Sequence, residues 1–249
     1  STDELIAKGI PELRAASLPD AAAMLRIMLA DLKPSHLIVS SWGLREGLLF
    51  EELSGAARDQ DPLLAGIAHF AVPRGASITR AATIAGWTVE AANGNGNGSE
   101  RLRLAATVLA LAASQLEPNM RLRHATDWAL HKRWVGLDMP GRAQIAAALC
   151  GSFGKTDLPA GLEVLASKEQ LREAVAWGLA ARLCRRLGAG SQASLLASRM
   201  ERQKKRLLLT VDESRASLAT QRVVDELAML AGWLGLTYEM RIAPIPAIR

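Results

Sequence analysis

Apolar residues recur at helical spacing through most of the 249-residue chain, and the departures from that spacing mark its two ends. Met24, Leu25, Met28, Leu29 and Leu32 form one face of a helix predicted over Pro19–Lys33, with Ser17 as a cap and Pro34 as the stop. His36 to Ser40 reads as a short buried strand, and Trp42 to Gly47 turns into a helix running to about Leu53. Such a helix–strand–loop–helix unit belongs to an α/β layer, but one strand cannot sustain a sheet alone. The first 60 residues therefore read like the end of an α/β domain, the more so because the chain opens at Ser1 without Met. The polar stretch Ser54–Pro62 is the boundary.

Residues 61–249 are predicted to be mostly helical. Helices are expected over Leu63–Phe70, Ala76–Glu90, Leu122–Trp134 and Ala143–Ser152. Ser99 and Glu100 open another, apolar on nearly every side from Leu104 to Ala113, as suits the centre of a bundle. Asn93–Gly98 alternates Asn with Gly and reads as a flexible loop. Ser167, with Gln170 three residues on, reads as a capping box for a helix ending at Gly188. Arg199–Gln203 and Arg206–Val211 read as a β-hairpin turning at Lys204-Lys205. A last helix, from about Ser217 to Leu234, carries a stripe of Val223, Leu227, Leu230 and Leu234. Gly235 caps it, and Tyr238–Ile242 alternates like a closing strand.

Composition narrows the classes. Apolar residues make up 49% and charged residues 22%, ordinary for a globular protein. The longest apolar run is too short to span a bilayer, and the acidic N-terminus is no signal peptide, which predicts a cytoplasmic protein without a membrane partner. Cys150 and Cys184 sit in apolar segments and read as reduced core thiols. The net charge of +5 suits an anionic partner.

The segment Leu37-Ile38-Val39-Ser40-Ser41-Trp42-Gly43-Leu44-Arg45-Glu46-Gly47-Leu48-Leu49 resembles the end of the second actin-like domain in the exopolyphosphatase/guanosine-pentaphosphate phosphatase family. Arg14–Ala23 is similar to what precedes that segment in the family. Asp61-Pro62-Leu63 is similar to the entry of its C-terminal helical domain, and Arg101–Ala106 to that domain's central helix. The resemblance implies a mainly α fold: residues 1–60 as the remnant of an actin-like α/β domain, and residues 61–249 as an HD-like helical domain with a small β addition. It implies part of an enzyme that releases terminal phosphate from inorganic polyphosphate with Mg²⁺, this part serving polyphosphate binding and homodimer formation. Guanosine pentaphosphate is the other substrate it allows, and a degenerate, noncatalytic module for assembly or regulation is the alternative role. The family's glycine-rich phosphate loops and water-activating acid lie upstream of any segment matched here, so no catalytic residue is expected. Where HD proteins place a His-Asp pair, this chain has Ala110, Leu111, Ala112 and Ala113, with Glu117 at a downstream His position. No metal site is expected.

Arg45 and Glu46 are candidates to touch a phosphate chain, or else form a tight turn in which Arg45 pairs a neighbouring acid. Arg182, Arg185 and Arg186 share a helix face, and Lys204, Lys205 and Arg206 crowd the hairpin turn with Arg199 and Arg202 nearby. A groove lined by these would attract polyphosphate, whereas the bland reading is a solvated charged face. Nucleic acid is disfavoured because the hairpin lacks stacking aromatics. His124, Asp127 and His131 share a helix face, more simply a polar surface than a metal site. Gly151–Thr156 has the look of a phosphate loop but is two residues short, and Gly94, Gly96 and Gly98 lack the preceding unit of a dinucleotide site.

Overall fold

The computed structural model describes residues 1–37, 42–91 and 99–245, and the chain divides into two compact units, Ser1–Leu53 and Ser54–Arg249. The first unit holds α1 (Thr2–Ala7), α2 (Glu12–Leu32) and α3 (Leu44–Glu51). Helix α2 begins at Glu12, well before the expected start at Pro19, and Pro19 lies inside it. Proline there removes one backbone hydrogen bond, yet the flanking Ala and Leu residues carry the helix through. Ser1 and Glu4 form a capping box at α1. Among this unit's described residues there is no strand, and only Ala15 is buried. Most of the expected strand at His36–Ser40 lies outside the described residues, as does all of the Asn93–Gly98 loop.

The second unit is mainly helical. It comprises α4 (Gly55–Arg58), α5 (Pro62–Ala71), α6 (Ile78–Trp87), α7 (Ser99–Ala113), α8 (Arg121–His131), α9 (Met139–Ser152), α10 (Leu162–Leu165), α11 (Lys168–Arg186), α12 (Gln192–Leu196), β1 (Ser198–Gln203), β2 (Arg206–Val211), α13 (Gln221–Leu234) and β3 (Thr237–Ile242). Helix α7 is buried from Ala105 to Ala113, as its all-round apolar sequence predicts. That burial includes Ala110, Leu111, Ala112 and Ala113. The Ser167–Gln170 capping box opens α11. The segment Glu213–Leu218 coils as a 3₁₀ turn, so α13 starts four residues later than expected.

The centre of the unit is the crossing of α9 and α11, and glycine sets its distance. A Cβ on Gly178 would lie 2.0 Å from the Ala148 carbonyl oxygen, and one on Gly151 would lie 2.4 Å from that of Val175. Only hydrogen fits at either position. Ala147, Ala148, Ala174 and Ala181 line the neighbouring turns, all buried, so the two backbones approach closely over a long stretch. Gly151 therefore has a packing role, and the stretch from Gly151, set aside above as too short for a phosphate loop, is the C-terminal end of a helix. There the Lys155 N–H returns to the Cys150 carbonyl at 2.9 Å.

Strands β1 and β2 pair antiparallel, with Gln203 opposite Arg206, so the loop is the two residues Lys204-Lys205. Strand β3 pairs parallel to β2, Arg206 opposite Thr237 and Val211 opposite Ile242. Parallel neighbours need a crossover, and α13 supplies it. Among the described residues no helix is long and apolar enough to cross a membrane. Cys150 and Cys184 are buried free thiols, pushed up to about 11 and about 12 by burial.

A cluster of arginines at the end of helix α11

Helix α11 runs antiparallel to α13. Near its start the Trp233 indole donates to the Arg172 carbonyl at 2.8 Å, and towards its end Arg182 Nε donates to Glu226 Oε2 at 2.6 Å. Arg186 Nε reaches the other oxygen of Glu226 at 3.4 Å. The Glu226 side chain is only 9% exposed, so this carboxylate is held by two guanidinium groups away from water. Gly154 follows α9 with φ of +76°, and a Cβ there would lie 2.6 Å from the Arg182 guanidinium. The Arg182 side chain thus lies against bare backbone.

Arg185 differs from its neighbours. Its Nη2 donates to the Ser152 carbonyl at 2.5 Å, one of the oxygens that the end of α9 leaves without a helical partner. Its guanidinium lies 5.9 Å from the Phe153 ring centroid. Burial first, then the charges of Arg182, Arg80 and Arg186, lower its pKa to about 10. It stays protonated at neutral pH while surrounded by like charge. Arg80, at the start of α6, donates to the Ala189 carbonyl just beyond α11. Four arginines from two helices therefore converge on one place, and Glu226 is the carboxylate that two of them share.

The hairpin turn is a separate feature. Arg206 pairs with Glu239 and donates to Gln203 Oε1 at 2.7 Å, whereas Lys204 and Lys205 are exposed. Thr237, which follows α13, donates its N–H to the Lys205 carbonyl at 2.9 Å. The turn therefore lies at the C-terminal end of α13, while Glu226 and its arginines lie in that helix's N-terminal half. At the helical rise the two basic groups are roughly 13 Å apart along α13, so they do not make a single contiguous patch. In the first unit, Arg45 is exposed on α3, and Glu46 accepts the Gly43 N–H at 2.8 Å to cap that helix.

Two features escaped the sequence. Arg80 is 109 residues from its acceptor, and nothing local marks it. Arg103 is 6% exposed in α7 and donates to the Ala85 carbonyl and to Thr88 Oγ1, closing the end of α6 with a buried cation. On α8, the His124 ring lies 6.5 Å from Trp128, and Asp127 and His131 are exposed. Among the described residues no group of three or more His, Cys, Asp or Glu side chains is placed to hold a metal ion. No protein-family model matches this chain, and no curated protein matches it.

Proposed function

We propose that this chain is the polyphosphate-holding, noncatalytic part of an exopolyphosphatase, its first unit derived from an actin-like domain and its second from a degenerate HD-like one. The observation that carries the reading is the excess of guanidinium charge at the end of α11, where Arg80, Arg182, Arg185 and Arg186 gather and only Arg182 and Arg186 share a carboxylate, that of Glu226. Guanidinium forks match phosphate oxygens in pairs, and burial keeps Arg185 from being screened as a surface cation is. A chain of linked phosphates would meet Arg80 and Arg186 first and extend towards Lys204 and Lys205. Linked charges engage such groups together, so modest contacts add up to measurable affinity. Arg45 on α3 is the first unit's own candidate to touch a phosphate chain, with Glu46 fixing its turn. The assembly would be a homodimer using Mg²⁺ at the phosphate loops. Guanosine pentaphosphate presents the same phosphoanhydride chemistry and is the competing substrate.

The test is a titration with long-chain polyphosphate at low and high salt. Arg80→Glu with Arg186→Glu should weaken binding by more than about tenfold at low salt and by much less at high salt. Lys8→Glu with Arg26→Glu, an equal charge change on exposed residues of the first unit, should cost far less. Equal losses from both pairs would reduce the effect to net charge and sink the proposal. A second reading, a module for assembly or regulation, has its own support: Arg182 and Arg186 brace α11 against α13 through Glu226. On that reading the cluster variants lower stability and the wild-type chain does not bind polyphosphate.

A further inference from the structure

The free edge of β3 is written to pair with itself. Among the described residues the sheet order is β1-β2-β3, which leaves β3 outermost. The Thr237 N–H donates to the Lys205 carbonyl at 2.9 Å and the Ala243 N–H to the Val211 carbonyl at 3.1 Å. With a strand period of two, the odd-numbered residues of β3 turn their backbone groups to β2. Tyr238, Met240 and Ile242 turn theirs outward. Among the described residues these three N–H and C=O sets have no backbone partner, and such an edge is a template for another strand.

The side chains select which strand and in which register. Tyr238, Met240 and Ile242 share the sheet face that carries α13, where Met240 packs against the core. Tyr238 and Ile242 are left 47% and 50% exposed. Glu239 and Arg241 share the opposite face, joined at 2.9 Å. In an antiparallel pair of β3 strands, outward backbone groups must meet outward ones, so even-numbered residues must lie opposite even-numbered residues. A one-residue slip is excluded on that ground. Centring on Met240 sets Tyr238 opposite Ile242 of the second copy, and Glu239 opposite Arg241. Sliding by two residues either way sets Glu239 opposite Glu239 or Arg241 opposite Arg241, both repulsive. Only the Met240-centred register matches opposite charges and covers the exposed Tyr and Ile together.

We infer that two copies of this chain join through antiparallel β3 edges about a two-fold axis at Met240, making one continuous six-stranded sheet. The symmetry is isologous, so each favourable cross-strand pair occurs twice. This rests on the proposed function only in its expectation of a homodimer, and it names the surface.

The experiment is sedimentation velocity of the whole chain over a concentration series. The wild-type chain should sediment as a monomer–dimer equilibrium. Arg241→Glu sets Glu opposite Glu twice per dimer and should weaken dimerisation by roughly thirtyfold, as should Glu239→Arg. Mixing these two variants in equal amounts should restore the dimer as a mixed species, because each then meets its opposite charge. Tyr238→Lys, at a half-exposed position on the other sheet face, gives a second route to the same loss. Circular dichroism confirms that each variant folds. A wild-type chain that stays monomeric throughout, or charge variants that dimerise like it, would overturn the inference. Polyphosphate titration of the wild-type chain at the same concentrations separates the two questions. Dimers that bind no polyphosphate would sink only the functional reading, and monomers that bind it would sink only this one.

Discussion

Replacing Gly178 by Ala should destabilise the second unit, although the same change normally favours a helix. The new Cβ would sit 2.0 Å from the Ala148 carbonyl oxygen, 2.6 Å from the Ser152 nitrogen and 2.9 Å from the Ala148 carbonyl carbon. All three are backbone atoms of α9, so no side chain can swing away. Ordinary contact begins at 3.4 Å, which leaves 3.4 − 2.0 = 1.4 Å to be recovered by moving one helix off the other. Opening the crossing loosens the Ala147, Ala148, Ala174 and Ala181 contacts around it, and dispersion falls steeply with such gaps. Overpacking costs about 1–3 kcal/mol where side chains can adjust, so about 3 kcal/mol or more is expected here. The gain in helix propensity from Gly to Ala returns about 1 kcal/mol. The net loss is therefore about 2 kcal/mol or more. Gly232→Ala is the control: it lies in α13 with nothing within 4 Å of its added Cβ, and should stabilise by roughly 0.5–1 kcal/mol. Urea denaturation followed by helical circular dichroism reads both midpoints. Opposite signs are expected. A Gly178→Ala protein at least as stable as the wild type would refute the close crossing.

Three further outcomes follow from charge. Asp61 caps α5 through the Leu64 N–H at 3.0 Å and pairs with Arg101; burial alone would raise its pKa, but these bonds outweigh that and hold it below 3.8. Its stabilisation is present above 3.8 and lost as pH falls through the lowered value, and Asp61→Ala should cost about 1 kcal/mol at neutral pH in the same urea titration and flatten that acid limb. Glu173 is pushed above its ordinary 4.5 by burial, so the folded state holds its proton longer and stability declines as pH rises past 4.5. Glu173→Gln should remove that decline, and an unchanged pH profile of thermal unfolding would show the carboxyl to be solvated. Glu226→Gln should lower stability by about 1–3 kcal/mol, because two arginines lose their shared counter-charge, yet tighten polyphosphate binding. Looser binding in that variant would count against an anion site at these arginines.

Local signals were legible in the sequence and long-range ones were not. The capping box at Ser167, the hairpin expected over 199–211 and the cap at Gly235 are each decided within a few residues, and they stand where the spacing placed them, the hairpin's first strand starting one residue earlier. Pro19 misled because a proline is a local marker of a helix start, whereas the residues before it are helix formers in their own right. The α9–α11 crossing was hidden because glycine in a sequence signals a loop at least as readily as a close approach. The spacing around Gly151 excluded a phosphate loop but gave it no role, because that role depends on Gly178, 27 residues away. The three arginines of α11 did come out on adjoining turns. What the spacing could not supply was the Ser152 carbonyl that takes Arg185, the Glu226 carboxylate that takes Arg182 and Arg186, or Arg80.

The crossing and the charge cluster are one construction. Gly178, Arg182 and Arg185 fall at i, i+4 and i+7, so they share the face of α11 that looks onto α9. The glycine contact draws the end of α9 against the last turns of α11, and only then can Arg182 lie over Gly154 and Arg185 reach the Ser152 carbonyl. A carbonyl at a helix C-terminus carries partial negative charge, enough to hold a guanidinium without neutralising it. Acidic side chains in those places would have given a tighter core and an electrically quiet one. Backbone acceptors instead leave Arg185 charged, and Arg80 is held by a backbone acceptor too. Widening the crossing should therefore release these arginines as well as unfold the helices, which ties any anion affinity of the cluster to the packing at Gly178.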